Sequence, residues 1–352
     1  MVARNRLAEG VGLVAGVAAL AMGGVAIGLE LERRVISNRI DRNTEAEVAE
    51  LFSLHTPKIP VTTPDGVVLH AEVEPGRATD LTVVFVHGYA LNMDCWHFQR
   101  KHLRGKVRQV FYDLRSHGRS SRSAPDHCRL PQLADDLAQV LDEVVGDGPV
   151  VLVGHSMGGM TIMRLAQTRP EWFGSRIRGV ALFHTAAGEM ADHSPIKAIP
   201  GRAFARIAEP LMASLNRIPE LVERSRRAGS DLGYVVTRRM AFGSEVPPSY
   251  VEFVSEMLAQ TPLEVVSDFY PAFNQLDEYA ALKTISELPS VVLGGEDDMI
   301  TPVDHTARIM ALMPNAEARR LKDCGHLGMI EHHAVFDQAL DDLLARVRDR
   351  LG

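Results

Sequence analysis

The chain has 352 residues, a formal net charge of −7, and 46% hydrophobic and 24% charged residues, the proportions of an ordinary globular protein with room for one large α/β domain and additions. It offers no dominating basic field, which excludes nucleic acid as a general partner. Three scattered cysteines, Cys95, Cys128 and Cys324, are too few for a disulfide framework or a zinc site and read as small buried hydrophobes.

Residues 10–29 form an uncharged run of 20 residues, about the length of a membrane-spanning helix. Six Gly and five Ala make that run weakly hydrophobic, and the pairs Gly12/Gly16 and Gly24/Gly28 would let two such helices approach closely. Ala19-Leu20-Ala21 resembles a signal-peptidase site. Three fates therefore fit the segment: a retained anchor, a cleaved signal with secretion, or a soluble or surface-lying helix on a cytoplasmic protein. Membrane association through residues 10–29 is the expectation carried forward. Two arginines before the run (Arg4, Arg6) and four after it (Arg33, Arg34, Arg39, Arg42) leave its orientation open. Thr44 and Glu47 then read as a capping box opening a helix through Leu54, ended by Pro57 and Pro60. Residues 1–57 are thus leader and linker, and a folded domain should begin near Lys58.

Val61 to Val73, broken by Pro64-Asp65-Gly66, reads as a hairpin. Leu81 to Val86 is a continuous apolar strand that runs into His87-Gly88-Tyr89 and a helix carrying Trp96. Val107 to Tyr112 is the next strand, followed by Asp113-Leu114-Arg115-Ser116-His117-Gly118-Arg119-Ser120. Leu133, Leu137, Val140, Leu141 and Val144 recur at helical spacing, with Asp135 and Asp136 expected to face outward. A crossover helix of this kind implies parallel pairing of the strands it joins.

Pro149 to Val153 is rich in β-branched residues and too short for a helix, whereas Met160 to Gln167 alternates at helical spacing. Gly154-His155-Ser156-Met157-Gly158-Gly159 therefore falls in a tight strand-to-helix turn. That setting is the one a G-x-S-x-G motif needs: Ser156 is held on a strained turn with its hydroxyl exposed, and only very small flanks let strand and helix come so close. The helix N-terminus beneath it favours developing negative charge. A bare G-x-S-x-G also occurs in glycine-rich loops, and the flanking strand and helix are what separate the two readings.

Gly179 to Phe183 is a further buried strand, ending at His184. Strands then stop, and Glu189 to Tyr270 is helical in pattern, punctuated by Pro195, Pro200, Pro210, Pro219, Pro247 and Pro248. Methionines 190, 212, 240 and 257 with Phe204 and Phe242 suggest an adaptable apolar inner surface, although internal packing of the segment would look the same. From Lys197 to Arg239 there are nine basic against four acidic residues, which reads either as solvated helix faces or as a basic face toward anionic lipid or substrate. Ser290 to Gly294 is the next strand and leads into Gly295-Glu296-Asp297-Asp298-Met299-Ile300-Thr301-Pro302. A helix near Asp304 to Leu312 and a strand near Ala316 to Leu321 lead to Asp323-Cys324-Gly325-His326.

The strand–His-Gly–helix opening, the Asp-x-Arg-x-x-Gly-x-Ser loop, the serine elbow and these last two turns resemble the α/β-hydrolase fold superfamily, specifically its serine-nucleophile esterase- and lipase-like members with a helical cap. The resemblance covers residues 58 to 350 and implies an α/β fold with a mostly parallel central sheet flanked by helices. Residues 58–188 and 271–352 would form the core and 189–270 the cap, folded over the nucleophile as a lid. It also implies an oxyanion hole from the backbone N–H groups of Tyr89 and Met157, leaving His87 structural. The Gly-x-x-Asp-x-x-x-Pro pattern, set in register on Pro302, makes Asp298 the acid in preference to Asp297, and Gly-His-x-x-x-x-Glu makes His326 the base with Glu331 at its expected place. Ser116 stands where the family usually has Gly, and His333 where Pro is common. Asp113 and Arg115 are expected to pair with each other, His184 is not expected to act as the base because it precedes the acid, and His332 and His333 are read as surface residues rather than metal ligands.

A serine nucleophile excludes members that work through an aspartyl ester and leaves acyl chemistry: hydrolysis of esters, thioesters or amides, acyl transfer, carbon–carbon hydrolysis or perhydrolysis. Ester hydrolysis with a Ser156–His326–Asp298 triad is the reading adopted, on medium-chain or lipid-like acyl esters as the small-molecule partner, with no cofactor and no metal implied. A non-catalytic receptor that uses the same pocket stays open beside it.

Overall fold

The computed structural model describes residues 42–192, 202 and 230–352. The leader at 10–29, the linker up to residue 41, Phe204, Met212 and most of the basic residues between Lys197 and Arg227 lie outside the described residues. Among the described residues no helix is long and apolar enough to cross a membrane.

Eight strands form one sheet in the order β1-β2-β4-β3-β5-β6-β7-β8. β1 (Ile59–Thr62) and β2 (Val68–Glu74) make the antiparallel hairpin, and β2 pairs antiparallel with β4 (Gly105–Tyr112). All remaining pairs are parallel: β3 (Gly76–Val86) with β4 and with β5 (Val150–His155), then β6 (Ile177–Phe183), β7 (Ser290–Gly295) and β8 (Glu317–Leu321). The inner strands are near-continuous apolar runs because both faces are covered. On one face pack α3 (Leu130–Val140), α4 (Met157–Thr168) and α8 (Tyr279–Ser286); on the other, α2 (His97–Leu103) and α9 (His333–Leu351). Cys95, Cys128 and Cys324 are free and buried, as small hydrophobes in the core would be.

Strand order explains where the chemistry falls. The chain leaves β3 toward β4 on one side and returns to β5 on the other, so the carboxyl ends of β3 and β5 stand side by side with a crevice between them, and open α/β sheets bind ligands in such crevices. Val86 is paired with Gly154, which sets the His87-Gly88-Tyr89 loop directly beside Ser156. The ends of β6, β7 and β8 follow in line and deliver His184, Asp298 and His326 to the same rim.

Between β6 and β7 the described chain is helical: α5 (Ser230–Ala241), α6 (Pro248–Gln260) and α7 (Leu263–Asn274). An isolated bridge between Gly188 and Asp277 ties the entering segment to the leaving one, and α7 continues past Tyr270 to Asn274.

Several local expectations are corrected. The first described helix, α1 (Arg42–Leu51), places Thr44 inside its first turn rather than at a cap, and it ends three residues before Leu54. Asp136 does not face outward: α3 turns it into the interior, 1% exposed, to meet Arg115, while Asp135 stays exposed. Arg115 in turn does not pair with Asp113. Its guanidinium grips Asp136 through two bonds of 2.6 and 2.7 Å and reaches Asp65 at 2.8 Å. Asp113 instead accepts the N–H groups of Met93 (2.8 Å) and Arg119 (2.7 Å). Ser116 occupies the glycine position of that loop with φ +65°, so the turn keeps a left-handed residue despite the substitution.

Candidate active site

β5 hands over to α4 at Ser156, whose φ of 52° and ψ of −118° lie in a strained region for a residue with a side chain. The flanking glycines are there for space. A Cβ on Gly154 would sit 2.7 Å from the Gly158 carbonyl carbon and the Gly159 nitrogen, and one on Gly158 would sit 2.0 Å from the Val86 carbonyl oxygen. Strand, turn and helix therefore touch backbone to backbone, and the serine is forced outward. The Ser156 N–H donates to the Phe183 carbonyl at 3.0 Å and its own carbonyl accepts the Thr185 hydroxyl at 2.7 Å, which anchors the elbow to β6.

The β3 exit loop presses on this elbow. A Cβ on Gly88 would lie 2.6 Å from His155 Nδ1 and 3.2 Å from Ser156 Cβ, so only glycine lets the loop come so near. His87 clamps the loop from within: its Nδ1–H donates to the Gly88 carbonyl (2.8 Å) and its Nε2 accepts the Leu114 N–H (2.9 Å). Burial, then the neighbouring His117, holds the His87 imidazole neutral, with its pKa lowered to about 3. His87 thus has a structural role. Tyr89 and Met157 follow the two tight turns, and among the described residues their N–H groups have no backbone or side-chain acceptor.

Asp298 sits beyond β7 with a neighbour, Asp297, that is exposed. Its carboxylate collects donors from several directions: the Ile300 and Thr301 N–H groups at 2.9 Å on Oδ1, the Thr301 hydroxyl at 2.9 Å on Oδ2, and His326 Nδ1 at 3.1 and 2.9 Å on the two oxygens. Burial alone would raise its pKa, but the imidazoles of His326 and His184 and the bonds they make more than reverse this, so the carboxylate lies well below its usual range. The His326 loop is fastened in turn by Glu331, which accepts the Gly325 N–H at 2.7 Å and the hydroxyl and N–H of Ser244. His155, next to the serine, donates its Nε2–H to the His326 carbonyl at 2.9 Å.

Sequence reasoning passed over His184 as a catalytic base and assigned it no other part, yet its Nδ1 stands 3.1 Å from Asp298 Oδ2 in a fully buried contact. The signal available in the sequence was positional: β6 lies between β5 and β7, so a polar residue at its end must face the acid. His184, Asp298 and His326 could in principle hold a metal ion together, as could Cys324, Glu331 and His332. In both sets the donors are already engaged, the second through the Glu331 bonds above and through His332 Nε2, which donates to the Asp323 carbonyl at 2.8 Å. Hydrogen bonding accounts for both clusters. His332 and His333 are half-buried rather than on the open surface, and His333 stacks on Phe98 with ring centroids 4.2 Å apart.

Ser156 and His326 open into one cavity of about 310 Å³. Tyr89, Leu91 and Met160 line it from the core, Val236, Met240, Val254 and Leu258 from α5 and α6, and Phe273 and Asn274 from α7. Met190 and Met240 take part in this wall as the sequence suggested, whereas Met257 and Phe242 are packed inside the helical layer. No Lys, Arg, Asp or Glu lines the cavity among the described residues.

A strained serine elbow between parallel strands, with a buried Asp–His pair brought in from the next strand ends, defines the architecture of an α/β hydrolase. The chain belongs to that family: the alpha/beta hydrolase family model matches residues 83–339. Among curated relatives it is 28% identical over 271 residues to the non-heme chloroperoxidase CPO-A1 of Kitasatospora aureofaciens, covering 75% of this chain and 90% of that one. It is 26% identical over 296 residues to the 2-hydroxy-6-oxononadienedioate/2-hydroxy-6-oxononatrienedioate hydrolase of Paraburkholderia xenovorans, covering 80% and 92%. Among solved structures, a thermophilic esterase from Thermogutta terrifontis superposes with a TM-score of 0.64 at 26% identity, covering 83% of this chain and 99% of that one.

Proposed function

We propose that the protein is a serine esterase that cleaves apolar, medium-chain carboxylic esters through an acyl-enzyme. The observation that carries this reading is the placement of Ser156, on a φ +52° elbow, and His326 at one wall of a largely apolar cavity. Ser156 Oγ attacks the ester carbonyl while His326 Nε2 takes its proton; the oxyanion is received by the Tyr89 and Met157 N–H groups; and His326 returns the proton to the departing alkoxide. Water, deprotonated by the same imidazole, then releases the acid and restores the serine. Asp298 holds His326 in the Nδ1–H tautomer and offsets the positive charge it acquires.

The relatives' names span peroxidase and carbon–carbon hydrolase activities, so the substrate argument rests on this chain's own cavity. A dioate of the kind named for the Paraburkholderia relative brings two carboxylates, and among the described residues no Lys or Arg stands in the wall to meet them. An apolar acyl group suits the wall without leaving a charge unpaired. In this reading residues 58–188 and 271–352 are the hydrolase core, 189–270 the cap, and 1–57 a leader and linker that attaches the enzyme to a membrane through residues 10–29.

Fluorophosphonate labelling tests the chemistry: wild type should be labelled and turn over p-nitrophenyl esters, and Ser156→Ala should lose both while remaining folded. Labelling that persists in Ser156→Ala, or labelling without turnover of any ester, overturns the esterase reading in favour of another nucleophile or of a binding protein. Membrane attachment is read by fractionating the full-length chain beside one that starts at Lys58. Recovery of both in the soluble fraction, with Met1 still present on the longer one, overturns the anchor.

A further inference from the structure

The acid of the proposed triad serves two imidazoles. His184 Nδ1 reaches Asp298 Oδ2 at 3.1 Å, the same oxygen that His326 Nδ1 reaches at 2.9 Å and the Thr301 hydroxyl at 2.9 Å. Nothing in the Ser–His–Asp chemistry calls for the second ring. Its position is nonetheless tightly determined. His184 is fully buried, holds a φ of 46°, donates its N–H to the Leu293 carbonyl at 2.8 Å and stacks on Phe336 with centroids 5.6 Å apart. A left-handed conformation at a buried, non-glycine position is an expense the fold sustains only where the surroundings enforce it.

We propose that His184 is a positioning residue for the triad: a neutral Nδ1–H imidazole that donates permanently to Asp298, fixes the carboxylate's orientation, and draws off part of the charge that would otherwise act on His326. The tautomer follows from the neighbours. Asp298, stripped of its proton, can only accept, so Nδ1 carries the hydrogen. Nε2 then keeps its lone pair and faces the Cys324 thiol at 3.9 Å, a group that burial keeps protonated and thus able to donate. Gly328 closes in on the same nitrogen, since a Cβ there would be 2.4 Å away. The titratable and charged groups around the ring are Asp298, Cys324, the imidazoles of His326 and His155 at 6.0 and 6.2 Å between centroids, and the more distant Glu331. Burial lowers the pKa of His184, outweighing the opposing bond to Asp298, which agrees with a ring that stays neutral while its neighbour cycles through the imidazolium.

A carboxylate that shares its charge with a second donor stabilises the His326 imidazolium less. Removing that donor should concentrate the charge on His326 and favour its imidazolium form. This inference rests on the triad reading, and its test has one arm that needs no catalysis. In uniformly ¹⁵N-labelled wild-type protein, long-range ¹H–¹⁵N spectra should show His184 as the Nδ1–H tautomer, unchanged between about pH 5 and pH 9, a window on either side of the ordinary histidine pKa. An Nε2–H tautomer, or titration of His184 in that range, overturns the proposal whether or not the protein is an esterase. In the second arm, the acid limb of kcat/KM against pH should move upward by about one unit in His184→Leu, the size of effect expected when one hydrogen bond to a charged group is lost. KM should be little changed, and His184→Asn, which keeps an N–H near the Nδ1 position, should restore the limb. A purely structural His184 would alter thermal stability and leave the limb in place, and that result, or failure of the Asn variant to restore it when folded, overturns the assignment. Should His184→Leu not fold, the tautomer measurement and the His184→Asn profile decide.

Discussion

The Thr261 hydroxyl donates to the Ala90 carbonyl at 2.9 Å, joining the turn between α6 and α7 to the loop that presents the Tyr89 N–H. Ala90 needs the help, because its φ of 59° is left-handed. Two further bonds join the same segments in the opposite sense: the Tyr89 phenol donates to the Val266 carbonyl, and Asn92 Nδ2 donates to Gln260 Oε1 at 3.0 Å. The helices that wall the cavity therefore also hold the proposed oxyanion loop, and a shift of the α6–α7 hairpin would move substrate wall and N–H donor together.

Thr261→Val removes the donor at nearly constant volume. Loss of a whole oxyanion donor costs about 10²–10³ in kcat, and a loosened one should cost less, roughly tenfold by the same reasoning. We expect kcat to fall and KM to stay within about twofold, since the cavity wall is intact and the lost interaction is made in the transition state. Steady-state kinetics on one soluble ester measures both. An unchanged kcat would show that the hairpin does not support the loop.

The two adjacent acids should behave differently. Asp298 is buried among five donors and Asp297 is exposed. Asp298→Asn presents an amide where His326 and His184 both need an acceptor, and kcat should drop by about 10⁴, as when a triad acid is replaced. Asp297→Asn should stay within about twofold, as exposed substitutions do. A larger loss from Asp297 than from Asp298 would reverse their roles.

Much of this site was legible because its motifs are steric necessities written in residue type. Only glycine fits at Gly154 and Gly158, where backbones meet, and at Gly88, which lies against the His155 ring and Ser156 Cβ, so the elbow and the loop beside it announce themselves. The inner strands are equally plain, being apolar on both faces. Partners were harder to read. Arg115 could be seen to need an acid, but nothing local distinguishes Asp113, two residues away, from Asp136 on the next helix; α3 had to be rotated in three dimensions before Asp136 turned inward. The contact of His184 with the acid was hidden for a related reason: chain order says which residue can be the base, while strand order says which residues touch the acid.

Acid should weaken the fold through Glu72. This buried carboxylate accepts Arg100 Nη1 at 2.8 Å, the Thr56 N–H at 2.9 Å, and stands 3.1 and 3.2 Å from His55 and His70. Burial pushes its pKa up, but these bonds prevail and bring it from 4.5 to about 2. A carboxylate depressed in the folded state stabilises it above the unfolded pKa, and that contribution disappears as pH falls from 4.5 toward 2. Glu72→Gln should therefore lower stability at pH 7 by about 2–3 kcal/mol, somewhat less than loss of an isolated buried partner because Arg100 keeps Glu74. Its thermal midpoint should also fall less than that of wild type between pH 4.5 and pH 2. Parallel curves for the two proteins across that window would rule Glu72 out as the source.

Cavity size should set acyl preference. Each methylene moved from water into an apolar wall gains about 0.8 kcal/mol, close to fourfold in kcat/KM, so activity on p-nitrophenyl esters should climb with chain length until the cavity of about 310 Å³ is full. Met240 lies in that wall on the last turn of α5. Met240→Trp adds bulk there and should shift the optimum to chains shorter by two carbons or more, because an overfilled apolar space costs about 1–3 kcal/mol. Acetyl ester turnover should change least, since the shortest acyl group fills the least of the cavity. A flat profile in wild type, with acetyl esters preferred over longer ones, would mean that the apolar cavity does not hold the acyl chain and would withdraw the medium-chain assignment.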